Sequence, residues 1–141
     1  MSFDLDQFLP YRLAVAAAQV SRRFARRYAA EAGLTIPEWR VLAHLDGSGP
    51  VSVRDITARV NLDKSMVSRA ATRLETAGYL SRTGHDRDQR LVALELTDAG
   101  RALMDRLGRI ADAYQAELLA ELGDDATAFR RGLLRLAGSG D

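Results

Sequence analysis

The chain has no cysteine and only two histidines, His44 and His85, which lie far apart in sequence. The first absence excludes thiol nucleophiles, disulfide frameworks, iron–sulfur clusters and cysteine-based redox sensing. The second argues against an enzyme and against a metal-sensing regulator. Zinc takes three or four convergent ligands, and no compact spacing, nucleophile motif, phosphate-binding glycine loop or HExxH pattern offers a site. No catalytic residue, metal ligand or cofactor is therefore expected. No apolar run approaches the roughly 18 residues of a membrane span. Residues 1–10 carry acids where a signal peptide carries bases. The expectation is a cytoplasmic protein without a membrane partner.

What is present fits one soluble domain: 141 residues, 47% of them hydrophobic and 28% charged. The net charge of +1 hides a gradient. Residues 1–50 hold six bases and five acids, residues 51–90 hold eight and five, and residues 91–141 hold six and nine. A basic centre between a neutral head and an acidic tail is a modest footprint for a polyanion.

Leu9, Leu13, Ala17, Val20, Phe24 and Tyr28 recur at helical spacing and predict a long first helix ended by Gly33. Arg22, Arg23, Arg26 and Arg27 on its other face read as a solvated surface. Thr35-Ile36-Pro37-Glu38 has capping-box spacing and opens a short second helix through Trp39, Leu42 and Leu45, broken at Gly47-Ser48-Gly49-Pro50. Ser52-Val53-Arg54-Asp55 repeats the box for a third helix with Val53, Ile56 and Val60 inward. A tight turn at Asn61-Leu62 leads to Asp63, the cap of a fourth helix whose inner face is Met66 or Val67, Ala70, Ala71 and Leu74, with Gly78 closing it.

Beyond Gly78 the period changes to two. Tyr79 to Thr83 and Leu91 to Leu96 read as two strands around a polar tip, residues 84–90. Thr97 then caps a long helix with Leu103, Leu107, Ile110, Tyr114 and Leu118 on one side, and a final helix from about Asp124 carries Phe129, Leu133 and Leu136. The fold class expected is mainly α (α+β): a winged helix-turn-helix lobe over 34–97, with dimerisation helices over 5–32 and 98–137. Long amphipathic helices at both ends have nothing to cover their stripes in a single copy, so a homodimer is expected, with a charge at Leu107 or Ile110 impairing it. Two recognition helices related by a two-fold axis suit a palindrome in double-stranded DNA.

On the fourth helix Lys64, Ser65, Ser68, Arg69, Thr72 and Arg73 face outward. Lysine and arginine pair with guanine edges or phosphates, and hydroxyls reach either phosphate or base. Lys64 and Arg73 read as backbone contacts. At the hairpin tip Arg87 and Arg90 are the candidate DNA ligands, and an aspartate two residues away can hold a guanidinium in place. The plainer reading is a solvated helix face and a soluble turn.

The ordered set Leu34-Thr35, Trp39-Arg40-Val41-Leu42, Asp63-Lys64-Ser65-Met66-Val67-Ser68-Arg69, Leu74-Glu75-Thr76-Ala77-Gly78-Tyr79-Leu80, Asp88-Gln89-Arg90 and Leu96-Thr97-Asp98-Ala99-Gly100 resembles the MarR family of bacterial winged-helix regulators over nearly the whole chain. The third helix departs from the pattern, with Ile56-Thr57 where the family has leucine and alanine. The resemblance implies that Asp88 and Arg90 are the wing's paired acid and base, and that Ser65, Ser68 and Arg69 lie on the recognition helix. It also implies a repressor modulated by small aromatic or phenolic ligands bound between the dimerisation helices and the DNA-binding lobes. Tyr11, Trp39, Arg40 and His44 are the candidates for that effector pocket, with ordinary core the alternative for Trp39 and a packing role for His44. The competing function is a winged-helix protein–protein interaction module without DNA-binding activity.

Overall fold

The structure is a computed structural model and describes residues 2–84 and 92–138. A single 3-10 turn, Leu5–Gln7, precedes α1 (Leu9–Ala32). Then come α2 (Ile36–Asp46), β1 (Val51–Ser52), α3 (Val53–Val60), α4 (Lys64–Thr76), β2 (Leu80–Thr83), β3 (Ala93–Leu96) and α5 (Asp98–Leu122). A 3-10 turn at Gly123–Asp125 leads into α6 (Ala126–Ala137).

Four helix starts are fixed locally, as predicted. The side chains of Thr35, Ser52, Asp63 and Thr97 accept from the backbone N–H groups of Glu38, Asp55, Met66 and Gly100. Each such cap stabilises its helix by about 1 kcal/mol. Asn61, the one non-glycine described residue at positive φ (57°), makes the turn between α3 and α4; asparagine tolerates the left-handed region better than most residues. The far end of α4 closes in a Schellman motif, with Gly78 N–H donating to the Glu75 carbonyl (3.0 Å) and Tyr79 N–H to the Leu74 carbonyl (2.9 Å). Gly78 sits at φ 87°, open to glycine at no steric cost.

The wing is a three-stranded antiparallel sheet in the order β1-β3-β2, one strand more than the predicted hairpin. Val51 and Ser52 pair with Leu94 and Ala93, while Leu80 to Thr83 pair with Leu96 to Ala93. Two residues are too few to show alternation, which is why β1 is silent in the sequence. The predicted strand start at Tyr79 moves inward to Leu80; β3 begins at Ala93, and the predicted start at Leu91 lies outside the described residues.

One core joins the elements. Tyr28 and Leu34 from the α1 end, Val41, Leu42 and Leu45 from α2, and Ile56 from α3 meet Val67, Ala70, Ala71 and Leu74 from α4. Leu80, Leu94 and Leu96 from the sheet and Leu103, Met104 and Leu107 from α5 complete it. This corrects two expectations. Leu107 is fully buried inside its own protomer, so a charge there unfolds the chain and does not probe a dimer. Arg23 and Arg27 are not simply solvated: they form ion pairs with Glu121 and Glu117 of α5, and both guanidinium groups lie over the Tyr114 ring, at 5.7 and 4.8 Å from its centroid. Arg22 and Arg26 are the exposed pair. Period alone marks a stripe as apolar or charged; the neighbour that covers it is set by tertiary packing.

The outer half of α1 and all of α6 hold no part of that core. Phe8, Leu9, Tyr11, Leu13 and Val15, together with Phe129, Leu133, Leu134 and Leu136, are exposed in the single protomer.

Candidate nucleic-acid interface

Helix α4 is two-sided. Val67, Ala70, Ala71 and Leu74 are buried, and Lys64, Ser65, Arg69, Thr72 and Arg73 are exposed, with Ser68 half-buried between them. Ser68, Arg69, Thr72 and Arg73 line an open groove of about 340 Å³ on the outer surface. The predicted recognition residues thus share one face, held rigidly because the opposite face is core.

Two of them are already engaged. Arg73 Nη1 lies 3.5 Å from Glu38 Oε1, a long pairing with a nearly buried carboxylate that also accepts from the Thr35 hydroxyl at 2.8 Å. The Thr72 hydroxyl donates to the Ser68 carbonyl (3.0 Å) and accepts from Arg82 Nη2 (3.0 Å). Lys64, Ser65 and Arg69 keep their polar groups outward.

A second cleft, about 460 Å³, lies between the start of α3, the start of α4 and the base of the wing. Ser52, Arg54, Lys64, Ser68 and Arg82 line it. Sequence reasoning passed over Arg54 and Arg82. Arg54 stands two residues after the Ser52 cap, at the α3 end beside α4, and Arg82 alternates with buried Leu80 on the core-facing side of β2. Cap position and strand alternation are the signals that could have found them. The predicted wing residues Arg87, Asp88 and Arg90 lie outside the described residues.

At the inner ends of α1, α2 and α5 four aromatic rings form one cluster. Phe24 stacks on Tyr114 (5.3 Å between centroids, 9° between planes) and meets Tyr28 and Trp39 edge-on at 5.0 Å each. Tyr28 in turn stacks on Trp39 at 5.6 Å. The Tyr114 hydroxyl donates to the Val20 carbonyl at 2.7 Å. Trp39 therefore has the packing role its spacing allowed. Arg40 donates from Nη1 to the Val60 carbonyl of α3 at 3.3 Å. Tyr11 is exposed on the outer half of α1, and His44 is half-buried near the end of α2. Among the described residues no hydrogen bond, ion pair or ring contact brings Tyr11 or His44 to Trp39 and Arg40.

Burial pushes the Tyr28 phenol up to about 12, against a smaller opposing effect of the Arg40 charge. An unfolded phenol ionises near 10. From there upward the unfolded state loses a proton that the folded state keeps, so stability should fall between about pH 10 and the folded value. A spectrophotometric titration should show a late phenolate step accompanied by a falling urea midpoint. Tyr28→Phe should abolish that late step; its persistence would assign it to another group.

No helix among the described residues is long and apolar enough to cross a membrane. Nor does any group of three or more histidine, aspartate or glutamate side chains there offer a metal site.

Comparison with known proteins adds an independent line. The family model described as MarR family matches residues 32–91, a span that begins at the end of α1 and takes in α2, β1, α3, α4 and β2. The transcriptional regulator MgrA of Staphylococcus aureus is 29% identical over 109 residues, covering 77% of this chain and 74% of its own. The crystal structure of a MarR-family regulator from Silicibacter pomeroyi DSS-3 superposes with a TM-score of 0.81 at 29% identity, over 97% of this chain and 100% of that one. NadR, solved in complex with 4-hydroxyphenylacetate, superposes with a TM-score of 0.77 at 25% identity, over 99% of each chain. These relatives are regulators and not enzymes, and their agreement extends from the family-model match to the full length of the fold. With a helix-turn-helix, a three-stranded wing and long flanking helices all in place, this chain has the fold and the sequence pattern of the MarR family of winged-helix transcriptional regulators.

Proposed function

We propose that the chain works in the cytoplasm as a homodimeric, sequence-specific binder of double-stranded DNA. In this reading it represses from palindromic operators and is modulated by a small aromatic or phenolic ligand. The observation that carries the proposal is the outer face of α4. Lys64, Ser65, Ser68 and Arg69 lie on the outer side of a helix whose other face is locked in the core, and a major groove about 12 Å wide admits such a helix. Arg54 extends the positive charge toward the wing, where Arg87 and Arg90, steadied by Asp88, serve as the flanking contacts. Residues 34–97 form the DNA-binding lobe in this scheme.

Dimerisation runs through residues 5–32 and 98–137, concentrated on the outer half of α1 and on α6. Their exposed leucines and aromatics have no cover in one protomer, and a second copy related by a two-fold axis removes them from water. Ligand responsiveness rests on the NadR complex with 4-hydroxyphenylacetate and on the seam where α1, α2 and α5 meet. Trp39 and Arg40 stand at that seam, and Tyr11, on the outer half of α1, and His44, near the end of α2, are offered for the same role without a contact to them in one protomer. A ligand wedged at this seam would favour one spacing of the recognition helices over another, and by linkage DNA would weaken the ligand in return.

Fluorescence anisotropy tests the reading, using duplexes from the region upstream of the coding sequence beside scrambled controls, at two salt concentrations. A genuine regulator prefers one duplex and loses affinity steeply with salt. Arg69→Ala should weaken that binding by about 1–3 kcal/mol if it reads a base edge, and should lower the salt slope by about one if it holds a phosphate. Adding an aromatic carboxylate to the same titration tests release. A protein indifferent to every duplex at low salt would be the protein–protein interaction module instead.

A further inference from the structure

Arg82 links the two parts of the proposed DNA-binding surface, the wing and α4. It lies on β2, an edge strand of the wing, on the same face as Leu80 and opposite buried Leu94. Leu80 continues the core, and two residues later the same face reaches its rim. There the guanidinium turns onto α4. Nε donates to Glu75 Oε1 at 3.1 Å and Nη2 to Thr72 Oγ1 at 3.0 Å, so that one planar fork brackets two residues a single turn apart on the recognition helix. Thr72 passes the restraint on, since its own proton is given to the Ser68 carbonyl one turn earlier.

The covalent link between α4 and the wing is the short Schellman closure around Gly78. That joint holds the start of β2 against α4, and the ladder to β3 carries the strand on to Thr83 with no further backbone hydrogen bond to the helix among the described residues. Arg82 fastens the strand two residues farther out, toward the tip. We propose that Arg82 is a positioning residue for DNA recognition: it ties the wing strands to the recognition helix, so that helix and wing meet the duplex in one fixed relation. In this role Thr72 is part of the tie and not a base reader. Glu75, an acid on the face that approaches DNA, is retained as the other half of the tie despite its repulsion of phosphate. The proposal rests on the DNA-binding reading above.

The test uses the full chain and a duplex that the wild-type protein enriches from a random library, with a scrambled duplex as control. Arg82→Met keeps the length of the stem and removes the fork. It should weaken the selected duplex roughly tenfold, leave the scrambled duplex nearly unchanged, and leave the salt slope for the selected duplex where it was, because no phosphate contact is lost. Glu75→Ala removes a negative charge and should tighten the scrambled duplex, yet lower the ratio of selected to scrambled affinity. The double variant should lose no more of that ratio than Arg82→Met alone, the mark of a shared interaction. An unchanged thermal midpoint would show that the fold itself is intact. A salt slope lower by about one, with equal losses on both duplexes, would make Arg82 a direct phosphate ligand and overturn the positioning role. Unchanged affinity in Arg82→Met would overturn it as well. A wild-type chain that enriches no duplex overturns the DNA-binding reading and the proposal with it, an outcome distinct from a wild type that binds beside an indifferent variant.

Discussion

Gly100→Ala should destabilise the protein by about 3 kcal/mol, against the usual preference of helices for alanine over glycine, which is worth about 1 kcal/mol in the other direction. A Cβ at residue 100 would stand 2.0 Å from the Tyr79 carbonyl oxygen, 3.0 Å from its carbon and 3.3 Å from Leu96 Cδ2. The oxygen is held where it is, because it accepts from the Thr97 backbone N–H at 3.1 Å. One residue earlier the Gly78 carbonyl accepts from the Thr97 hydroxyl at 2.6 Å, and that hydroxyl in turn caps α5 through Gly100 N–H at 3.1 Å. Relief therefore requires α5 to lift from the start of the wing, which breaks these bonds and withdraws Leu103, Met104 and Leu107 from the core they share with both. Urea unfolding measures the effect. Gly108→Ala supplies the internal control, since that glycine lies in the same helix with nothing within 4 Å of its would-be Cβ. The control should hold or gain up to about 1 kcal/mol. Equal midpoints for Gly100→Ala and wild type would mean that α5 can move away from the wing at little cost.

The same junction shows which parts of the fold are legible in a sequence and why. A helix start is a transaction among four consecutive residues, so Thr35, Ser52, Asp63 and Thr97 announce themselves, and each caps the helix it was expected to cap. The outward set on α4 is readable for the same reason, since helical spacing separates Ser65, Ser68 and Arg69 from Val67, Ala70, Ala71 and Leu74. Legibility ends where a residue's partner is remote. Arg23 finds Glu121, and Arg27 finds Glu117, about ninety or more residues away, so neither pairing leaves a local trace. The Arg82 fork joins a strand to a helix across a turn, and the Thr72 hydroxyl that spacing assigned to DNA is occupied by it. Leu107 illustrates the harder case. Its stripe is visible, but whether an apolar stripe meets its own chain or a second copy depends on how α5 is docked, and here α5 is docked inward. The full-length agreement with the Silicibacter pomeroyi regulator shows that the overall docking follows the family.

With Leu107 assigned to the protomer core, a probe of the proposed dimer belongs on α6. Leu136→Glu should convert it to a monomer at micromolar concentration. Leu136 is 66% exposed in the isolated protomer, in line with Phe129 and Leu133 on a helix that contributes nothing to the core, so a charge there costs the single chain little. In a two-fold interface every substitution acts twice. Losing the burial of one leucine removes about 1.5–3 kcal/mol, and the second copy doubles it before the cost of desolvating two carboxylates is counted. Dimerisation should therefore weaken by roughly a thousandfold or more. DNA affinity should fall with it, because a monomer holds one half-site and must organise its partner on the duplex at the expense of the lost interface energy. Sedimentation velocity gives the mass, and anisotropy on the palindromic duplex gives the affinity. A monomer that still binds the palindrome as tightly as wild type would show that the two recognition helices are not coupled through the termini. An intact dimer would place the interface elsewhere and leave the exposed leucines of α6 to some other cover.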